Sequence, residues 1–366
     1  MIFSSSKGYP LGSEGDIYHK ELDFFSKYLS FWTAVCIVVG IVIGYFFPET
    51  SDILAEFEYA NVSIPIAVVL LLMMYPIMLK IKFTEMIKIR KNTKPILFTV
   101  LVNWGVAPFS MALMAWIFIH LVFPGFISEE LQNEYVIGLI IFGLAPCTAM
   151  TLVWTYLARA NLSCALIQVT INDLLVLILF APIGMLLLGL TTGFPVPFAT
   201  LFFSVLLYVA VPLGFAVLTR QIILKKKDEK WLEQKFIAKV ERITPIGLLI
   251  TLVLIFIFQG NAIIENPLHI LLISVPILFQ TYFLFGISYF GTRKLRIPFS
   301  EAAPAAFIGA SNFFELAVAV AIILFGVHSG VTLAVVVGVL TEVPVMLSLV
   351  KIMNAKKSKF EFGKTT

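Results

Sequence analysis

The sequence predicts an all-α polytopic membrane protein, with ten transmembrane helices in two inverted five-helix repeats and breaks in the fourth and ninth. Three observations lead there. The 366 residues are 60% hydrophobic and only 13% charged, with 34 Phe, whereas a soluble domain carries about a quarter charged residues. So few polar side chains cannot wrap so apolar a core, and the solvent is therefore lipid. Apolar runs near the roughly 20 residues needed to span a bilayer recur along the whole chain. Finally, the loops between those runs alternate between basic segments and segments with no Lys or Arg.

The elements follow in order. Residues 1–27 are polar and mixed in charge and hold no apolar h-region, so they read as a cytoplasmic tail rather than a cleavable signal peptide. The first span then serves as the targeting signal. Spans are predicted at 28–47, 62–79, 95–123, 135–158, 162–190, 198–219, 243–259, 267–291, 302–325 and 329–350. With the N-terminus inside, all 26 Lys and Arg fall on the cytoplasmic side. They sit in the tail, in 80–94, at Arg159, in 220–242, in 293–296 and from Lys351 onward. The outward loops carry Glu49, Asp52, Glu56, Glu58, Glu129, Glu130, Glu134 and Glu265 instead. This is the positive-inside pattern, and a wrong span count would scramble it downstream. Both termini are expected in the cytoplasm of a cell-membrane protein, and the net charge of +4 reflects this asymmetry rather than nucleic-acid binding.

The longest charged break, 220–242, reads as a solvated linker. It divides the chain into a first repeat (28–219) and a second (243–350), followed by a cytoplasmic tail (351–366). Ten spans make five per repeat, and five is odd, so the repeats enter the membrane in opposite senses, the arithmetic of an inverted repeat, although the break at 220–242 follows the sixth of the spans given above. Span four contains FGLAPCTAM (142–150) and span nine FIGASNFFE (307–315). Each is the fourth span of its half and each carries a helix-disrupting feature near mid-membrane, the sequence pattern of a transport site.

In span four, Pro146 lacks an N–H and disfavours helix at Ala145, so a break is expected there. Cys147 and Thr148 then lie where a second half-helix begins, among unpaired N–H groups and the positive end of a dipole. The competing reading of Cys147 is a buried small hydrophobe. In span nine, Asn312 and Glu315 have the spacing of a capping box. An ionisable group at that depth is costly and usually faces a cavity on an ion or proton pathway; capping and proton carriage are compatible. Secondary candidates are Pro146, Ser311, Asn172, Asp173, Asn103 and Gln280. Asn172 and Asp173 follow the same hairpin as Cys147, while interhelical hydrogen bonding is the plain reading for Asn103, Gln168 and Gln280. Glu342 is placed nearer the cytoplasmic interface.

Other classes are weakly supported. The three Cys have no zinc or disulfide spacing, the four His are scattered, and no cofactor is indicated. The terminal FGKTT resembles a phosphate-binding loop, but position 358 is Ser where that motif needs Gly. An intramembrane enzyme lacks its catalytic set, and the energy source is an ion gradient, the membrane potential or a separate partner.

The stretches GLAPCTAMTLVWTYLARANLSCALIQVTINDLLVLILFAPIGMLLLG (143–189) and FIGASNFFELAVAVAIILFG (307–326) resemble the arsenical-resistance-3 family of arsenite efflux permeases. LDFFSKYLSFW (22–32), GYFFP (44–48) and IPIAVVLLLMMYPIM (64–78) do so too. That family belongs to the bile acid/arsenite/riboflavin transporter superfamily, whose ten helices form two inverted repeats with helices four and nine crossing. The resemblance implies export of arsenite, and in some members antimonite, in exchange for protons. It implies substrate binding by Cys147 and Glu315, with Asn312 in the same motif, Cys147 as the thiol for the metalloid and Glu315 as the proton carrier. Thr148 joins the substrate-binding candidates through its place beside Cys147 at the break. Many members carry Arg before the cysteine where this chain has Pro146, and RANLS (159–163) replaces a Gly-Asp turn. Partners are arsenite, protons and the bilayer. A homo-oligomer is compatible with the sequence, and a separate ATPase subunit is not indicated. The alternatives are a sodium-coupled organic-anion importer of the same fold, or a passive arsenite channel energised by a separate ATPase.

Overall fold

The computed structural model describes residues 29–59, 62–81, 93–193 and 197–360. The N-terminal tail, most of the basic segment 80–94 and the terminal FGKTT lie outside them. The described chain is helical apart from one two-residue antiparallel pairing, in which β1 (Glu58–Tyr59) sets Glu58 opposite Ser63 of β2 (Val62–Ser63).

The helices occupy the apolar runs of the sequence. α1 (Leu29–Phe46) turns through 95° at Phe47 into α2 (Pro48–Ala55), which Pro48 starts. α3 (Ile64–Leu79) is short, and α4 (Lys94–Val122) carries a wide π-turn at Leu101–Val106 just before Pro108. Then come α5 (Glu129–Phe142), α6 (Ala149–Leu157), α7 (Leu162–Thr192) and α8 (Phe198–Leu224). A surface helix α9 spans 229–240, followed by α10 (Ile243–Glu265), α11 (Pro267–Lys294), α12 (Phe299–Ala310), α13 (Phe314–Phe325) and α14 (Gly330–Ala355). Among the described residues seven helices are long and apolar enough to cross a membrane, eight if α1 and α2 count as one bent span. This is a multi-pass membrane protein.

Packing divides the helices into two groups. α1 lies along α10, α10 along α3, and α3 along α8. In the second group α14 packs on α5, α11 on α12 and α14, and α12 on α6 and α7. At the centre, residues 135–148 and 302–322 are buried without interruption. Helices apolar on every side belong in such an interior.

The 220–242 segment departs from the solvated loop expected of it. α8 continues to Leu224, and the Asp228 side chain accepts from Trp231 N to start α9, whose Leu232 and Ile237 are buried. Arg220 pairs with Glu229 at 2.6 Å and donates to the Leu79 carbonyl, and Lys80 meets Glu241 at 3.2 Å. The buried Leu232 and Ile237 pack this segment against α8, and the Lys80–Glu241 pair ties it to the end of α3. The turn after α6 is closed by Arg159 in the left-handed region (φ 53), with Ala160 N–H bonding back to Thr155 O. That is the helix stop glycine usually supplies. Asn161 then caps α7, accepting from Cys164 N, and its own N–H reaches Ser300 O, fixing the turn to the start of α12.

The α1–α10 crossing depends on GIVIG (40–44). A Cβ on Gly40 would fall 2.6 Å from Phe256 Cβ, one on Gly44 would strike the Ile257 carbonyl, and one on Gly260 would come within 2.9 Å of Ile41 O. Small residues four apart let helix backbones approach closely in lipid. Gly44→Leu is expected to destabilise the protein by about 1–3 kcal/mol through overpacking, read as a lower melting temperature in detergent. Gly189→Leu, at a position with open space around it, is the matched control and should melt as the parent does.

Candidate functional site

The break in FGLAPCTAM starts at Gly143, two residues earlier than Pro146 alone would suggest by its effect on Ala145. The proline ring opposes the carbonyl four residues back, which is that of Phe142, the last residue of α5. Residues 143–148 are then unwound until α6 begins at Ala149. In the second break α12 ends at Ala310, residues 311–313 are non-helical, with Ser311 extended and Phe314 N–H turning back to Asn312 O, and α13 begins at Phe314. The two breaks meet: Phe313 N–H donates to Ala145 O at 2.7 Å.

The capping box expected of Asn312 and Glu315 is not formed. Phe313 occupies the cap position, with no side-chain bond to the helix. A carboxylate from elsewhere in the fold substitutes, because Asn312 N–H donates to Glu342 Oε1 of α14 at 3.1 Å. Glu342 is 4% exposed and so lies in the interior rather than at the cytoplasmic interface where the sequence reading put it. Pro344 two residues on and the carboxylate's place in an apolar run were the available signals. Position along the helix misled, because burial is set by what packs around α14.

A cavity of about 20 Å³ lies between the two helix groups, lined by Thr33 of α1, Cys147, Trp154, Asn312, Glu315 and Glu342 among others. It has room for about one water molecule. Three buried polar atoms on its lining residues have no partner: Asn312 Nδ2, Glu315 Oε2 and Trp154 Nε1. Buried polar groups are nearly always paired, so three unpaired ones on residues lining one cavity make it the candidate binding site. It offers two donors, a carboxylate oxygen and one thiol.

The other candidates fall around this centre. Thr148 does not line the cavity and instead donates to Asp173 Oδ1 at 3.0 Å. Ser311 Oγ lies 3.3 Å from Thr151 Oγ1, which also donates to Cys147 O, so one hydroxyl ties both breaks together. The π-turn of α4 presents Asn103 and Trp104, and both donate to Asn172 Oδ1 at 3.0 Å. Gln168 accepts from Thr99, and Gln280 reaches the Ala107 carbonyl at 3.4 Å. These side chains brace helices, as interhelical bonding predicts. Pro146 contributes the break and no donor. Trp154 and Thr151 were missed, since a Trp and a Thr in an apolar helix carry no distinguishing signal. The cysteines are free thiols: Cys36 is in α1, and Cys164 accepts from Gln168 at the start of α7. Among the described residues no group of His, Cys, Asp and Glu is arranged to hold a resident metal ion.

The sequence pattern of the sodium bile acid symporter family matches residues 67–266, more than half of the chain. The chain belongs to that family. Within it, the chain is 46% identical over 351 residues to arsenical-resistance protein Acr3 of Alkaliphilus metalliredigens, covering 96% of this chain and 98% of that one. A second arsenical-resistance protein Acr3, from Corynebacterium glutamicum, is 32% identical over 91% of this chain and 89% of its own. A Synechocystis protein described as an uncharacterized transporter is 45% identical over 93% of this chain and 91% of its own. Such identity over nearly full length places the chain on the arsenical-resistance branch of the family. It is a membrane permease, not an enzyme.

Glu342→Leu leaves the Asn312 N–H buried without an acceptor, at a cost of about 1–3 kcal/mol. The expected result is a lower melting temperature in detergent than that of Glu342→Gln, whose amide oxygen still accepts. Equal melting of the two variants would refute the assigned bond.

Proposed function

We propose that the protein exports arsenite from the cytoplasm in exchange for protons, with Cys147 binding the metalloid and Glu315 carrying the proton. The observation that carries this reading is the single cavity in which a lone thiol, an unpaired carboxylate oxygen and two unpaired donors meet where the broken helices touch. Arsenite is a neutral trihydroxide near neutral pH. Attack by the Cys147 sulfur forms one arsenic–sulfur bond and breaks one arsenic–oxygen bond, and the thiol proton leaves with the hydroxide as water. No electron changes hands, and hydrolysis reverses the step. One thiol with oxygen and nitrogen partners gives an exchangeable complex, whereas three thiols would hold the substrate too tightly to release it. Asn312 and Trp154 donate to the remaining hydroxyls, and Thr148 and Asp173 support the break from behind. Antimonite, a larger trihydroxide of the same chemistry, is a second substrate on this reading.

Exchange of a neutral substrate for one proton moves one charge inward, so the membrane potential adds about 2.3 kcal/mol per 100 mV. Glu315 is suited to that proton because it lines the cavity and has one carboxylate oxygen without a partner, whereas Glu342 accepts from Asn312 N–H.

The proposal includes ten spans in two inverted five-span repeats with both termini cytoplasmic. The repeat boundary falls between α7 and α8 rather than at 220–242, because six of the ten spans precede that segment, so the expected bounds 28–219 and 243–350 are one span off. Contacts support the pseudo-symmetry. If α1 corresponds to α8 and α3 to α10, the α1–α10 and α3–α8 pairings exchange. On the same mapping, the α4–α5 and α11–α12 contacts exchange. The basic docked segment and the acidic α1–α2 side support the orientation through the positive-inside rule.

The test is arsenite uptake into everted membrane vesicles with an acid lumen, with and without sodium. Accumulation should follow the proton gradient and fall to background in Cys147→Ala and in Glu315→Gln, both expressed at parental levels. Transport at the parental rate in either variant, or uptake that depends on sodium alone, would sink the assignment.

A further inference from the structure

The seam that holds the cavity continues along one face of α10. Leu248, Leu252, Ile255, Gln259 and Ala262 follow steps of four and three residues, which place them on a single helical stripe. The first two line the small cavity. Gln259 and Ala262 line a second, larger one of about 300 Å³. The seven residues from Leu252 to Gln259 amount to about 10 Å of helix. Ile255, 1% exposed, fills the interval. Gln259 closes the floor of the larger cavity by donating its side-chain amide to Val327 O. The far walls come from α2, just past the 95° bend, and from His328, whose ring sits edge-on to Phe258 at 5.8 Å.

The lining of this vestibule differs from that of the inner cavity. It presents the carboxylates of Asp52 and Glu265, the amide of Asn261 and the hydroxyl of Ser51, with no thiol and no Lys or Arg among the lining residues. Asp52 and Glu265 are exposed. Ser51 is not: it is 8% exposed, and its hydroxyl has no partner. A buried, unpaired hydroxyl in the wall of a cavity many times the size of a water marks a place where a polar ligand completes the hydrogen bonding. Two carboxylates without a counter-charge repel anions, while their oxygens accept hydrogen bonds from a neutral molecule rich in hydroxyls.

We propose that this vestibule is a second binding site, a release station for the neutral trihydroxy oxyacid after it leaves the thiol. The inference rests on the arsenite reading above. At Cys147 the substrate is held through sulfur. Water attacks the arsenic–sulfur bond, the thiol regains its proton, and the intact trihydroxide passes Gln259 into a chamber that holds it by hydrogen bonds alone. Asp52 and Glu265 accept from its hydroxyls, and Ser51 and Asn261 complete the set. Weak binding on this side keeps exported substrate from returning to the thiol, and the acidic walls exclude anionic oxyacids from the outside.

The experiment uses everted vesicles whose lumen, which faces the vestibule, is preloaded with graded arsenite. Initial uptake from the outer medium is measured for the full-length parent, Asp52→Asn, Glu265→Gln, the two combined, and Ser51→Ala. The luminal arsenite concentration that halves uptake is expected to rise several-fold in the combined variant and to rise in Ser51→Ala. The half-saturating concentration on the cytoplasmic side and the rate into an empty lumen should stay parental, which also shows that the variants fold. Parental transport with unchanged luminal inhibition in the combined variant would overturn the vestibule site alone. A parent that does not transport arsenite at all would overturn the arsenite reading, and this site with it.

Discussion

One backbone hydrogen bond organises this molecule, from Phe313 N–H in one unwound segment to Ala145 O in the other. In lipid, an unpaired backbone group costs several kcal/mol, so non-helical chain at membrane depth survives only inside protein. Two breaks therefore have to be covered, and each answers part of the other's need. The remaining groups are met close by. Glu342 takes the Asn312 N–H, Thr151 donates to Cys147 O, and Phe314 N–H turns back to Asn312 O. The continuous burial of residues 135–148 and 302–322 follows from this requirement. α4, α7, α11 and α14 surround a centre that could not face lipid.

The same requirement concentrates the chemistry. Unwinding a helix frees backbone groups and small side chains at one depth, and capping them draws in polar partners that an apolar interior otherwise excludes. Some of those partners, such as Thr148 with Asp173, are fully used in holding the breaks. Others retain an open valence, and these collect on the side facing α1 and α10. The division of labour between the two glutamates illustrates this. Glu342 is held by backbone and Glu315 is left with a free oxygen, although both are intramembrane carboxylates of similar burial.

The inner cavity lies between the two helix groups. α1 and α10 are pressed together at Gly40, Gly44 and Gly260 and behave as one wall, while their contacts with α14 and α13 are sparse. A wall that is tight within itself and loose against its neighbour can move as a body, and on the proposed inverted-repeat architecture that motion would alternate access to the site. The inner cavity and the outer vestibule lie in line along that loose seam, the one holding a thiol and the other only oxygen and nitrogen groups.

The sequence by itself determined the lipid environment, the positions of the helices and both breaks, because these follow from local quantities: apolar run length, charge, and the effect of a proline on its own turn. It also pointed to Cys147, Asn312 and Glu315, since a thiol, an amide and a carboxylate in apolar surroundings stand out along the chain, and the family resemblance rests on those same motifs. It did not reveal that Glu342 would replace the Asn312–Glu315 box, that Thr148 would face away from the cavity, that Trp154 would line it, or that 229–240 would fold and dock. Those depend on which side chains from distant segments arrive at the same place. Capping, pairing and burial are settled by whichever partner the fold brings within about 3 Å, and only tertiary structure decides which partner that is.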